Sequence, residues 1–335
     1  VFSSLAYLDF SDCIDGEEEI TIRFLARRYF KKNNTQKIRK NPHSIRQMIE
    51  TFFLCSTVRR YQDIIVHHFR HIINETTQFQ ALCFTIAKGT MFVAFEGTDD
   101  SMVGWHEDFD MMHTFPIPSQ KLAMEYLNQV ITRKYHCVYV GGHSKGGNLA
   151  MTACMYLPFW KQHKVKQIYN NDGPGFRKEE YESKEFKRIE KKLHVIIPES
   201  SVIGLLFYHK KDFQVVKSLG RGIYQHDLSN WLCYGAYFTP GTLTDEAKSQ
   251  ARRFSICFQK YSYAKEKEFV NILFSLFKEC NMTVFSEVTN PKISKLIRLI
   301  HASRKLDKES KELLIDMFSI VLNNKVASKN ETIAS

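Results

Sequence analysis

Ser144 lies in Gly142-His143-Ser144-Lys145-Gly146, a Gly-x-Ser-x-Gly spacing with an apolar run before it and a helix-like run after it. That context predicts a nucleophile elbow, a sharp strand-to-helix turn that lifts a seryl hydroxyl to its apex. A seryl hydroxyl is a weak nucleophile by itself. It needs a base to take its proton, an acid to orient the base, and N–H donors for the oxyanion that forms on attack. C-terminal to Ser144 the base candidates are His163, His194, His209 and His226. His226 sits in the loop-like segment 222–231, after the last expected strand, and gives the chain order Ser, acid, His. For the acid, Asp172 in Asn171-Asp172-Gly173-Pro174 falls at a strand's carboxyl end, while Asp212 and Glu199 stay open as alternatives. The helix N-terminus points N–H groups at the site, so Lys145 N–H is one oxyanion donor. The loop 95–100 supplies the other from the backbone of Thr98 or Asp99. His143, beside the nucleophile, is expected to point away and pack.

Two other chemistries are weaker fits. The glycine spacing before Lys145 does not match a P-loop. Asp99, Asp100, Glu107, Asp108 and Asp110 match no EF-hand spacing and read as a solvated acidic loop. No metal and no cofactor is expected.

The elements around these residues alternate. Two strands over 80–87 and 90–95 flank a Lys88-Gly89 turn, and an amphipathic helix is expected over 119–134. A strand over 137–140 leads into the elbow and a helix over 145–156. Strands over 165–169, 193–197 and 213–216 follow, with a charged helix over 178–192 between the first two. Such alternation implies βαβ crossovers and a mostly parallel sheet, whose sites lie at the carboxyl ends of the strands. Residues 1–75 read as mostly helical, broken by the basic polar stretch 31–42. After Pro240 only helices are expected: one or two over 244–279, one starting at Asn290-Pro291, and one over 308–322, with the last ten residues frayed. The organisation is therefore a domain over 1–240 and a helical extension over 241–335.

Composition narrows the setting. The chain has 335 residues, 44% hydrophobic and 25% charged, the balance of a globular protein. Its eight cysteines are scattered without a Cys-x-x-Cys pair, which reads as reduced core thiols in a cytoplasmic protein. The N-terminal residues lack a signal-peptide pattern, and no apolar run is long enough to span a bilayer. The net charge of +11 is spread over short basic pairs. It permits peripheral contact with an anionic membrane and argues against a nucleic-acid module, because no basic and aromatic interleaving is present.

Four segments together carry a resemblance. Phe95-Glu96-Gly97-Thr98 with Trp105 and Asp108 behind it is similar to the F-R-G-T…W…D segment of class three lipases, and Gly-His-Ser-Lys-Gly-Gly to their G-H-S-L-G-G. These segments, with 170–176 and 225–231, more closely resemble a bacterial family of lipase-like proteins of unknown function. The resemblance covers roughly residues 1–240 and implies an α/β-hydrolase fold, with a mostly parallel sheet flanked by helices and the C-terminal helical appendage outside it. It implies a serine hydrolase with the triad Ser144, His226 and Asp172. Two departures stand out. Glu96 replaces the lipase arginine, and the segment 198–204, where such lipases carry their acid, has no aspartate. The acid role then passes to Asp172 or to Glu199.

The expected reaction is cleavage of an acyl ester, of a small molecule or a lipid, through an acyl-enzyme. The alternatives are acyl transfer to another nucleophile, and a binding or scaffold protein that keeps the fold without turnover.

Overall fold

A computed structural model describes residues 1–289 and 291–322. The chain divides into two compact units. The first takes Val1–Ile73, Phe79–Gly97 and Ser119–Leu243; the second takes Asn74–Gln78, Thr98–Pro118 and the chain from Thr244. Residues 98–118, which a boundary at 240 groups with the sheet, thus fall in the second unit.

The first unit is built on an eight-stranded sheet: β1 (Ile20–Thr21), β2 (Ile65–Ile73), β3 (Gln78–Ala87), β4 (Thr90–Phe95), β5 (Cys137–His143), β6 (Val165–Asn171), β7 (Leu193–Pro198) and β8 (Gln214–Val216). The strands neighbour one another in chain order. β1 pairs antiparallel with β2 and β3 with β4, whereas β4 to β8 are parallel. The parallel strands are short apolar runs because both faces are covered. Val93, Phe95, Val138, Val140, Ile168, Val195 and Ile197 are all buried. Between β5 and β6 runs the helix Lys145–Met155, every residue of which is buried. Its small residues Gly146, Gly147, Ala150 and Ala153 let it approach the strands closely. This is an α/β architecture with a mostly parallel sheet flanked by helices, as expected for an α/β-hydrolase.

Three local differences from the sequence reading have identifiable causes. β5 continues through Gly141-Gly142-His143, where glycines conceal the strand pattern. The charged helix over 178–192 is broken at Ser183. That residue is extended, at φ −64° and ψ 153°, and its hydroxyl accepts from Phe186 N–H, so it ends one helix and caps the next. The third concerns β2, a nine-residue strand in a stretch read as helical. Its polar positions are His67, His68, Arg70 and His71. His67 is fully buried, with Nε2 2.9 Å from Thr85 Oγ1 and 3.2 Å from Tyr135 Oη.

Burial, then the neighbouring His68, lowers the His67 pKa from 6.5 to about 4. A histidine depressed in the folded state is protonated more readily in the unfolded chain, so its stability contribution is present above pH 6.5 and is lost as pH falls toward 4. The loss amounts to about 3 kcal/mol. Urea midpoints measured from pH 7 to pH 4 should fall more steeply for the wild type than for His67→Gln.

The second unit is helical. Ser101 caps Met102–Asp110 by accepting from Gly104 N–H at 3.2 Å. Trp105 stacks on Phe285 with centroids 3.7 Å apart, and His106 on Phe274 at 4.3 Å, which joins this helix to the tail. The tail helices are Asp245–Lys260, Tyr263–Glu279, Ser286–Thr289, Ile293–Lys305 and Lys308–Leu322. Asn290, the expected cap, and the last ten residues lie outside the described residues, and the helix in question begins at Ile293.

Candidate active site

Ser144 occupies the turn between β5 and the helix Lys145–Met155, with φ 56° and ψ −132°. A positive φ is costly for a non-glycine residue and persists only where its surroundings enforce it. Here backbone bonds do so. Ser144 N–H donates to Asn171 C=O at 3.0 Å, and Ser144 C=O accepts from Gly147 N–H at 2.9 Å. The flanking glycines are required by close approach. A Cβ on Gly142 would collide with the backbone of Gly146, and one on Gly146 with the carbonyl oxygens of Phe95 and Glu96. The Gly-x-Ser-x-Gly spacing is therefore the steric condition for the turn.

Asp172 follows β6, the strand next to β5 in the sheet. It too has a positive φ, 52°, and its carboxyl is buried. Oδ2 lies 2.7 Å from His226 Nδ1. Oδ1 accepts from the Ser201 hydroxyl and, at 3.1 Å, from Gly204 N–H. Three hydrogen-bond partners thus converge on one buried carboxyl and fix its orientation. Ser201 and Gly204 belong to the segment in which the resembling lipases carry their acid; in this chain it supplies the donors that hold Asp172. The two alternative acids sit elsewhere. Glu199 Oε1 accepts from Thr242 N–H at 3.3 Å, and Asp212 is exposed ahead of β8.

His226 ends a short 3-10 helix, Gly222–His226, in the segment read as a loop. Its ring is partly exposed. The segment is fixed by Gln225, whose side chain accepts from Ser200 N–H at 2.9 Å and whose carbonyl accepts from Trp231 Nε1–H at 2.9 Å. Of the other histidines, His163 packs on Phe159, His194 stacks on Tyr169, and His209 Nδ1 lies 3.0 Å from the Lys210 carbonyl.

His143 departs from the expectation that it only packs. It is buried, and its ring centroid is 4.4 Å from that of His226. Nε2 donates to the His226 carbonyl at 2.7 Å, which leaves Nδ1 to accept from Tyr7 O–H at 2.7 Å. Burial first, and the neighbouring His226 second, hold its pKa well below 6.5. A neutral ring with Nε2–H is the tautomer those two bonds require. His143 is thus a positioning residue that ties the backbone of His226 to the elbow. Its position beside the serine was visible in sequence; the carbonyl it reaches lies 83 residues away.

Lys145 opens the helix after the serine and its side chain is buried. Gly97, at the end of the first unit's second segment, passes so close to the His143 carbonyl and Tyr7 that a Cβ there would collide with both. Thr98 and Asp99 fall in the second unit, where Thr98 Oγ1 donates to Asp108 Oδ2 at 2.6 Å and Asp99 accepts from Ser101 N–H at 2.9 Å. The other acidic residues of that loop are also occupied: Glu107 accepts from Gln78 N–H at 2.9 Å, Asp100 from Ser286 N–H at 2.8 Å, and Asp110 lies 3.1 Å from His113. Among the described residues no cluster of His, Cys, Asp and Glu has the arrangement of a metal site.

A family model described as Mbeg1-like matches residues 55–275, more than half of the chain. Among solved structures the chain is similar to a crystal structure of M37 lipase, at 14% identity and a TM-score of 0.34. That match covers 50% of this chain and 65% of the other, so the chain spans less than two thirds of that lipase's length. No curated protein matches.

Proposed function

The chain belongs to the Mbeg1-like family, and from that premise we propose that it is a serine hydrolase cleaving carboxylic esters of a small molecule or a lipid. The observation that carries this reading is the 2.7 Å bond between His226 Nδ1 and the buried Asp172 carboxylate, one strand away from a serine held at φ 56°. Asp172 accepts a hydrogen bond from Nδ1–H, which keeps the proton there and leaves the lone pair on Nε2, the tautomer a general base needs. Nε2 takes the Ser144 proton as Oγ attacks the acyl carbonyl. The carbonyl oxygen, now negative, is held by the backbone N–H of Lys145 at the helix N-terminus. Collapse expels the alcohol, which leaves with the proton from His226. Water repeats the sequence on the acyl-enzyme and frees the acid. No step calls for a cofactor.

A fluorophosphonate reacts only with an activated serine, so the test is to treat the protein with one and map the adduct by peptide mass. A short-chain p-nitrophenyl ester assay runs in parallel. One adduct, on Ser144, together with ester turnover is the expected result. Labelling without turnover of any ester would point to a binding protein that keeps the site. Product diverted to an added acceptor alcohol would point to acyl transfer. Absence of both label and turnover would overturn the reading.

A further inference from the structure

Helix Ile293–Lys305 in the second unit carries an apolar stripe on the side away from its own packing. Ala302 is buried, and the helix packs against Tyr263–Glu279. Lys295, on the same side as Ala302, donates to Asn281 C=O at 2.8 Å and pairs with Glu287 at 2.6 Å. Ile293, Leu296, Ile297 and Ile300 occur at i, i+3, i+4 and i+7, which is one face of a helix. They are 78%, 44%, 51% and 44% exposed. Four adjacent large aliphatics left in water are unlike the scattered single ones of an ordinary surface. The helix also holds Lys295, Arg298, Arg304 and Lys305, preceded by Lys292, and contains no acidic residue. Lys292, Arg298 and Arg304 make no ion pair among the described residues.

We propose that this helix is an interfacial anchor that lays its aliphatic stripe into the surface of an anionic membrane. Its charge and its stripe complement the two layers of such a surface: aliphatics enter at the acyl boundary while Arg and Lys meet anionic headgroups. At 1.5 Å per residue its 13 residues extend about 20 Å, too short to cross the roughly 30 Å hydrocarbon core. No helix among the described residues is long and apolar enough to cross a membrane. A flat partner is favoured over a protein groove because the opposite face is already packed within the unit. A groove that wraps an amphipathic helix would have to detach it first.

The test is vesicle flotation of the full chain on pure phosphatidylcholine and on phosphatidylcholine containing about one third phosphatidylserine. The protein should float with the anionic vesicles, weakly or not at all with the neutral ones, and less as salt is raised. Ile297→Glu with Ile300→Glu should reduce partitioning by about a hundredfold or more. Arg298→Gln with Arg304→Gln should reduce it by about tenfold or more. Unchanged circular dichroism would show that these exposed substitutions leave the fold intact. As a second readout, the emission of a tryptophan introduced by Ile297→Trp should shift to the blue on anionic vesicles and be quenched by brominated acyl chains. Binding unaffected by the glutamates, or no flotation on either vesicle, would overturn the proposal and leave the stripe to a protein partner.

Discussion

Ser144→Ala should lower kcat for a p-nitrophenyl ester by about a millionfold, the scale seen when a triad serine is removed. The substitution deletes one oxygen and little else. The bonds that hold the turn, to Asn171 C=O and from Gly147 N–H, are made by backbone atoms that alanine also has. Thermal unfolding should therefore change little while turnover disappears, and the fluorophosphonate adduct should vanish with it. A loss smaller than about a hundredfold would mean that another group is the nucleophile.

Asp172→Asn should cost about ten thousandfold in kcat with the fold retained. The reason lies in the donors on the far side of the carboxyl. The Ser201 hydroxyl and Gly204 N–H both point at Oδ1, so an asparagine must place its carbonyl oxygen there. Its NH2 then faces His226 Nδ1 and donates to it. That donation leaves Nδ1 as acceptor and puts the imidazole proton on Nε2, where it cannot receive one from Ser144. Glu199→Gln and Asp212→Asn, made in parallel, should leave kcat within a few-fold of wild type, since neither carboxylate reaches the histidine. If one of them instead carries the large loss, the acid has been misassigned.

How far the site was legible in sequence depended on how local its causes are. The turn at Ser144 could be read because the clash that demands Gly142 and Gly146 acts within a few residues and leaves a fixed spacing. The parallel strands could be read because burial on both faces leaves uninterrupted apolar runs. β2 could not, since His67 is buried through hydrogen bonds to Thr85 and Tyr135 and not through apolarity. The choice of acid was open for a related reason. Asp172, Glu199 and Asp212 are alike as residues, and they are separated by partners brought in by the loop after β7, about thirty positions downstream of Asp172. The link from His143 to the His226 carbonyl left no local trace at all. Helices of the tail were legible from their periodicity, but their association with residues 98–118 rests on the stacking of Trp105 and His106, which periodicity does not encode.

The three residues of the proposed triad are not held in the same way. Ser144 and Asp172 stand at the ends of neighbouring central strands and are joined through the bond from Ser144 N–H to Asn171 C=O. They can separate only if the sheet comes apart. His226 rides on one turn of 3-10 helix, tied by its Nδ1 bond, by the bond from His143 to its carbonyl and by the two bonds of Gln225. A single surface turn can open locally at a free-energy cost below that of global unfolding. Opening of this one turn would carry His226 away while Ser144 and Asp172 stay on the sheet. Whatever strengthens or weakens the bonds that hold this turn shifts how often His226 stands beside Asp172.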